Sequence, residues 1–308
     1  VDKKKALIGL AVLISIAIFV GLLSAGVALL AGLVLALTLG NPFVSHCRTY
    51  SGHALKVAII GLGFGLSIQS VVLTAKETFW LTLATIVIAM VSGFLLTRWL
   101  KLDKNTGLLI SSGTAICGGS AIAAVSQAIS SRGEQTIIAV TVVFLLNLVA
   151  LFVFPPLGHW LELTQQEFGT WAALAIHDTS SVVGAAADYG KQALETATTA
   201  KLARALWIIP LTLVITLLSN QQGGRINIPV FIILFVLASV IASLLPQFSF
   251  IFESVAWLAK QLLVFALFLL GLSFDKAVLK QLNSRPLILG VALWVILASS
   301  SLAMILWI

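Results

Sequence analysis

Apolar residues fall along this 308-residue chain in blocks bounded by charge, proline or glycine, at 6–22, 25–40, 54–74, 78–100, 106–130, 134–156, 168–189, 199–218, 228–245, 254–274 and 285–308. An α-helix needs about 20 such residues to cross the hydrocarbon core of a bilayer, and most of the blocks approach that length. They lack period-two alternation and are too long for barrel strands, and lipid requires each segment to satisfy its own backbone hydrogen bonds. The pattern predicts an all-α polytopic membrane protein with about 11 transmembrane segments. It forms one membrane domain, 1–308, without linkers.

Composition sharpens this reading. Hydrophobic residues make up 60% of the chain and charged residues only 9%, against about 25% charged in soluble domains, so no soluble domain fits between the blocks. The net charge of +7 is scattered through short loops rather than gathered in a stripe, which favours membrane orientation over nucleic-acid binding. If every block crosses and the N-terminus is cytoplasmic, that side carries Lys3, Lys4, Lys5, Arg48, Lys56, Arg98, Lys101, Lys104, Arg225, Lys276, Lys280 and Arg285. The opposite side carries Lys76, Arg132, Lys191, Lys201 and Arg204, and the positive-inside rule is obeyed. Cys47 and Cys117, even with His46, lack the spaced ligands of a zinc site. No metal or cofactor is expected. The first block follows Lys3–Lys5 as a signal peptide would, but Ser24-Ala25-Gly26 leads straight into another apolar block, so it is read as a membrane segment.

Two blocks, 106–130 and 168–189, are rich in Gly, Ser, Thr and Ala at their centres, where a lipid-facing helix would carry Leu, Ile or Val. They are expected to be interrupted helices, and the charge count requires that both cross or neither does. Gly113-x4-Gly118-Gly119-Ser120 resembles a phosphate-binding loop with Gly119 in the place of its lysine. A helix broken at depth exposes N–H groups at the start of its second half, and glycines let an anion approach them. Thr114, Cys117, Gly118, Gly119 and Ser120 are therefore candidate anion-binding residues, against the alternative that small residues here only permit close packing. The second block holds His177 and Asp178 ahead of Thr179, Ser180 and Ser181, which are likewise candidate anion-binding residues at the start of its second half. Asp178 lies many residues from either block end, and an acid at that depth marks a substrate or ion path, or else caps a half-helix. Lys201 and Arg204, three apart, could attract an anion or pair with Asp178; near a block end they would also snorkel to the interface. Asn147 could bridge helices.

Two internal echoes suggest duplication. Gly65-Leu66-Ser67 with Val72-Leu73 recurs as Gly271-Leu272-Ser273 with Val278-Leu279, in opposite membrane directions, as inverted-repeat transporters show. Ala115-Ile116-Cys117 with Ser120 recurs as Ala175-Ile176-His177 with Ser180.

In order and spacing, Gly113 to Ser120, Ala175 to Ala185 and Lys201-x-x-Arg204 ahead of Pro210 resemble the YeiH-type sulfate exporter family of bacterial inner-membrane proteins. The resemblance spans essentially the whole chain. It implies a Cys-Gly signature at Cys117 and Gly118, a His-acid pair at His177 and Asp178, and a Lys-x-x-Arg pair at Lys201 and Arg204. It also implies an inner-membrane location and kinship with inverted-repeat cation/proton antiporters and bile-acid symporters, with broken helices meeting near the midplane. Some members carry Glu at the position of Asp178 and another small residue at that of Gly119.

The expected function is secondary active transport exporting a small oxyanion, sulfate or a sulfonate, coupled through His177 and Asp178 to a proton or cation such as sodium. The alternative is a sodium/proton antiporter with Asp178 as its ion site. An intramembrane hydrolase is disfavoured, because neighbouring residues on a helix point about 100° apart and His177 and Asp178 could not pair as in a triad. The expected partners are the lipid bilayer and the small anion, with the oligomeric state left open.

Overall fold

A computed structural model describes residues 2–219, 230–274 and 284–307. Every described element is helical: α1 (Asp2–Phe19), α2 (Ala25–Leu39), α3 (Val44–Gly63), α4 (Ile68–Glu77), α5 (Phe79–Trp99), α6 (Lys104–Ala115), α7 (Gly119–Ala128), α8 (Gly133–Trp160), α9 (Gln165–Ala175), α10 (Thr179–Tyr189), α11 (Lys191–Ala205), α12 (Ile208–Ser219), α13 (Val230–Leu244), a 3-10 turn at Pro246–Phe248, α14 (Ser249–Leu272) and α15 (Ser284–Trp307). The all-α membrane fold stands. Among the described residues, 5 helices are long and apolar enough to cross a membrane alone, or 6 if the α3–α4 pair, bent by 108°, counts as one span. The remaining apolar blocks of the sequence correspond to shorter helices or to broken ones, so the number of crossings stays an expectation. Arg225, Lys276, Lys280 and the Val278-Leu279 part of the first echo lie outside the described residues.

The chain forms two compact units, one drawn from 1–73 and 229–279, the other from 74–228 and 280–308. In the first, α14 packs along α2 and α3. Glycine makes the approach close: a Cβ on Gly32 would overlap the Phe268 carbonyl, and one on Gly271 would overlap the Leu29 carbonyl. Gly61 and Gly65 serve the same end, since a Cβ there would lie 2.6 Å from the Ala259 Cβ or 3.0 Å from that of Ala256. In membranes, where apolar surface alone gives helices little reason to associate, such close contact is a main source of cohesion. Two helix ends in this unit are closed by side chains: Ser239 Oγ donates to the Gly63 carbonyl at 3.0 Å, and Asn41 Nδ2 donates to that of Leu272 at 2.8 Å.

The second unit holds both interrupted helices, α6/α7 and α9/α10, packed with α8, α11 and α15. Leu109, Ile122, Val142, Leu146, Leu289 and Leu293 join α6, α7, α8 and α15 in its core. Asp103 fixes the start of α6, accepting from the Thr106 amide at 3.0 Å and from Gln135 Nε2, at the start of α8, at 2.6 Å. Thr164-Gln-Gln-Glu167 is a capping box at the start of α9: Glu167 Oε2 accepts from the Thr164 amide at 2.7 Å, and Thr164 Oγ1 accepts from the Glu167 amide at 3.2 Å. α9 and α10 form a hairpin whose two ends meet beside this capping box: the Tyr189 ring, at the end of α10, lies between Phe168 (centroids 3.7 Å apart, planes at 7°) and His159 (4.2 Å, 13°), and its hydroxyl donates to the Leu163 carbonyl at 2.6 Å.

Replacing Gly271 by Leu should destabilise the first unit by about 1–3 kcal/mol, the usual range for overpacking, as a lowered thermal midpoint in detergent. The hydrogen bonds from Thr164 hold the Glu167 carboxyl below its ordinary value of 4.5. A depressed folded value contributes stability above the unfolded one and loses it as pH falls through the folded one. The protection of amides in the first turn of α9 against exchange, relative to the free chain at the same pH, should therefore fall as pH drops below about 4.5, and Glu167→Ala should lower that protection above this pH while flattening the dependence.

Candidate functional site

The two interruptions occupy corresponding positions. α6 ends at Ala115 and α7 starts at Gly119; α9 ends at Ala175 and α10 starts at Thr179, in the register of the second sequence echo. Three residues break each helix, Ile116-Cys117-Gly118 and Ile176-His177-Asp178. At the first break, Gly118 adopts φ +64, a conformation costly for a residue with a side chain, and its amide reaches back to the Gly113 carbonyl at 2.8 Å. At the second, Asp178 is extended and caps α10: its Oδ2 accepts from the Ser180 amide at 3.0 Å and from the Ser180 hydroxyl. The breaks touch. A Cβ on Gly118 would sit 3.5 Å from Asp178 Cβ.

Breaking a helix leaves carbonyls without partners at the C-terminal end of its first half, and here one residue serves both halves. The Arg204 guanidinium donates from Nε (2.9 Å) and Nη2 (2.5 Å) to the Ala115 carbonyl of α6, and from Nη1 (2.6 Å) to the Leu174 carbonyl of α9. Lys201, one turn earlier on α11, donates from Nζ to the carbonyls of Ile176 (2.7 Å) and Ala173 (3.2 Å). Both cations are fully buried, at 0% exposure, and neither snorkels. The sequence block beginning at 199 places them near a membrane end, whereas the span begins at Lys191 and carries them inside it. The Ala- and Thr-rich first turns of α11 hid that boundary. The hydrogen bonds of the two cations go to main-chain carbonyls, not to Asp178. A cation at a helix C-terminus is stabilised by the macrodipole, and here that interaction offsets part of the cost of burying charge.

Asn147, near the middle of α8, completes the second break. Its Oδ1 accepts from the amides of His177 and Asp178, both at 3.1 Å. The sequence marked Asn147 only as a polar bridge between helices, because nothing in the pattern shows that its partner is unwound backbone.

The candidate residues divide by environment. Thr114, Cys117, Gly118, His177, Thr179, Ser180 and Ser181 are buried, Gly119 and Asp178 are partly exposed, and Ser120 is exposed. The open face of the breaks is thus Gly119, Ser120 and Asp178. The glycines of the first broken helix serve different ends. Gly113 is a packing glycine, since its Cβ would lie 2.8 Å from Ile122, and Gly118 is required by its backbone. Gly119 has neither reason: its φ is not in the positive range and nothing lies within 4 Å of where its Cβ would be. A polar cleft of about 610 Å³ in the same unit, lined by Glu77, Thr78, Thr164, Glu167 and Thr196 among others, does not include the break residues.

Arg204→Met should cost about 3–5 kcal/mol, the scale for losing one partner of a buried charged interaction, because it strands carbonyls at both breaks. Arg204→Lys should recover only part of that loss, since a single ammonium lacks the fork that reaches both helices. Thermal unfolding of the detergent-solubilised protein measures both; a change near zero for Arg204→Met would mean that the guanidinium does not hold the breaks.

Over residues 5–290 the chain matches the family described as "Conserved hypothetical protein 698". It is 46% identical to a UPF0324 membrane protein of Vibrio vulnificus over 92% of this chain and 93% of the relative. The identity is 45% to one of Shewanella oneidensis, over 92% and 90%, and 43% to one of Bacteroides thetaiotaomicron, over 91% and 85%. No solved structure matches the chain. With apolar spans of its own and named membrane proteins as relatives along nearly its whole length, the chain is a multi-pass membrane protein that belongs to the Conserved hypothetical protein 698 family.

Proposed function

We propose that the protein is a secondary transporter that moves a small oxyanion, sulfate or a sulfonate, at the open face of the two helix breaks. The observation that carries this reading is the asymmetry of the breaks. Their carbonyl ends are occupied by Lys201 and Arg204, while the N-terminal turns of α7 and α10 start side by side at Gly118 and Asp178. Each N-terminus carries about half a positive charge from its macrodipole. With the negative ends neutralised by buried cations, the local field is positive, and Asp178 is the acid set against it. A cation site would want the reverse, with carbonyl oxygens and carboxylates free to coordinate. Gly119 adds to the reading, since a glycine without a packing or backbone requirement keeps the first amides of α7 open to a ligand.

In this scheme Gly119 and Ser120 contact the anion from α7, and Gly118, whose amide is held by the Gly113 carbonyl, turns the chain into that first turn. Thr179, Ser180 and Ser181 shape the first turn of α10, and Asp178 carries the coupled proton. Thr114 and Cys117 support the first break from behind, and His177 supports the second. We place the protein in the bacterial inner membrane with its N-terminus cytoplasmic. Burial of Lys201 and Arg204 removes two cations from the opposite side, and the contact between Asp103 and Gln135 brings Arg132 to the side of Lys101 and Lys104, leaving Lys76 and Lys191 opposite, so the charge bias grows.

A thermal-shift series with sulfate, sulfite, thiosulfate and taurine tests this. A ligand that binds the folded state alone raises its apparent stability by mass action, by about 2.7 kcal/mol at a hundred times Kd. Ser120→Ala should reduce the anion-dependent shift and Asp178→Asn should remove its pH dependence. If no anion shifts the wild type while sodium does, and a pH gradient drives sodium flux in proteoliposomes, Asp178 is instead the ion site of a cation antiporter.

A further inference from the structure

Buried side-chain atoms without a hydrogen-bond partner are few among the described residues, and most of them belong to residues next in the chain to the carbonyls that the two cations hold, or one turn from Lys201. They are Thr114 Oγ1, both ring nitrogens of His177 and Thr198 Oγ1, with Trp294 Nε1 elsewhere on α15. Thr114 immediately precedes Ala115, the acceptor for Arg204. His177 immediately follows Ile176, the acceptor for Lys201. Thr198 lies one turn before Lys201 on α11, on the same face. All three are sealed from outside, at 1% exposure each. The charged groups near the His177 ring are Lys201 and Arg204, and those near Lys201 are Arg204 and Asp178.

We infer that these groups hold internal water behind the breaks, bound between His177 and Lys201 and completed by the hydroxyls of Thr114 and Thr198. Buried polar atoms in folded proteins are nearly always paired, and a cluster of orphans with mixed donors and acceptors is the usual setting of a buried water. The inventory selects water over an ion. Lys201 has three N–H groups and uses two on carbonyls, so one donor remains, and each threonine hydroxyl can donate or accept. A neutral imidazole offers one N–H and one bare nitrogen. An anion could serve the N–H groups but would leave the bare nitrogen unpaired; a metal cation would be repelled by two ammonium-type charges. Water accepts from Lys201 and donates to the ring. Such a water finishes the capping that Lys201 begins.

The test is the sign of a stability change, read without any anion and therefore independent of the transport reading. If the site is dry, His177→Leu removes unpaired polar atoms from an apolar setting and should leave the thermal midpoint unchanged or raise it. If water is bound, His177→Leu and the milder Thr198→Val each break its hydrogen bonds and should lower the midpoint, by about 2–4 °C for Thr198→Val. His177→Gln, which keeps a donor and an acceptor, should recover part of the loss. A cryo-EM map fine enough to show ordered water should then place a peak within hydrogen-bond distance of both Lys201 Nζ and the His177 ring. Midpoints that hold or rise in both His177→Leu and Thr198→Val, or a map with no such peak, overturn the inference.

Discussion

The arrangement of the second unit depends on one guanidinium group. Two helices broken inside a bilayer leave carbonyls that lipid cannot satisfy, and Arg204 answers both breaks with a single planar fork. Lys201 finishes the α9 end. Without them the breaks would either close into continuous helix or draw water in. With them, the polar interior is sealed on the carbonyl side and open on the amide side. That polarity follows from the direction of the peptide dipole, and the proposal of an anion on the open side rests on it.

Much of the architecture was legible in the sequence. Apolar blocks gave the helices, Gly and Ser at block centres gave the two interruptions, and the offset between Ala115 and Ala175 anticipated that the breaks share a register. The role of Lys201 and Arg204 was not legible. Hydropathy windows end where Ala and Thr replace Leu, so residues 191–198 read as loop and the cations as interfacial. The structure continues the helix through them because α11 packs on α9, and small residues suit a buried helix contact as well as they suit a loop. Asn147 escaped for a related reason: a lone amide in an apolar run announces a polar partner without saying that the partner is unwound main chain.

The glycines divide along the same line. Gly32, Gly61, Gly113, Gly118, Gly119 and Gly271 look alike in the sequence, yet the structure separates those that let backbones touch from the one whose φ demands it and the one that answers to neither need. A residue that resists a structural explanation in a well-packed unit is where functional pressure is best sought.

The stack of Phe168, Tyr189 and His159 has a bearing on movement. It rivets the tail of α10 to the corner joining α8 and α9, while the head of the same short helix ends at the break. A rod clamped at its foot can tilt at its tip but cannot slide along its axis. Small rearrangements near Asp178 would therefore be angular, swinging the amide dipole of α10 through an arc instead of withdrawing it.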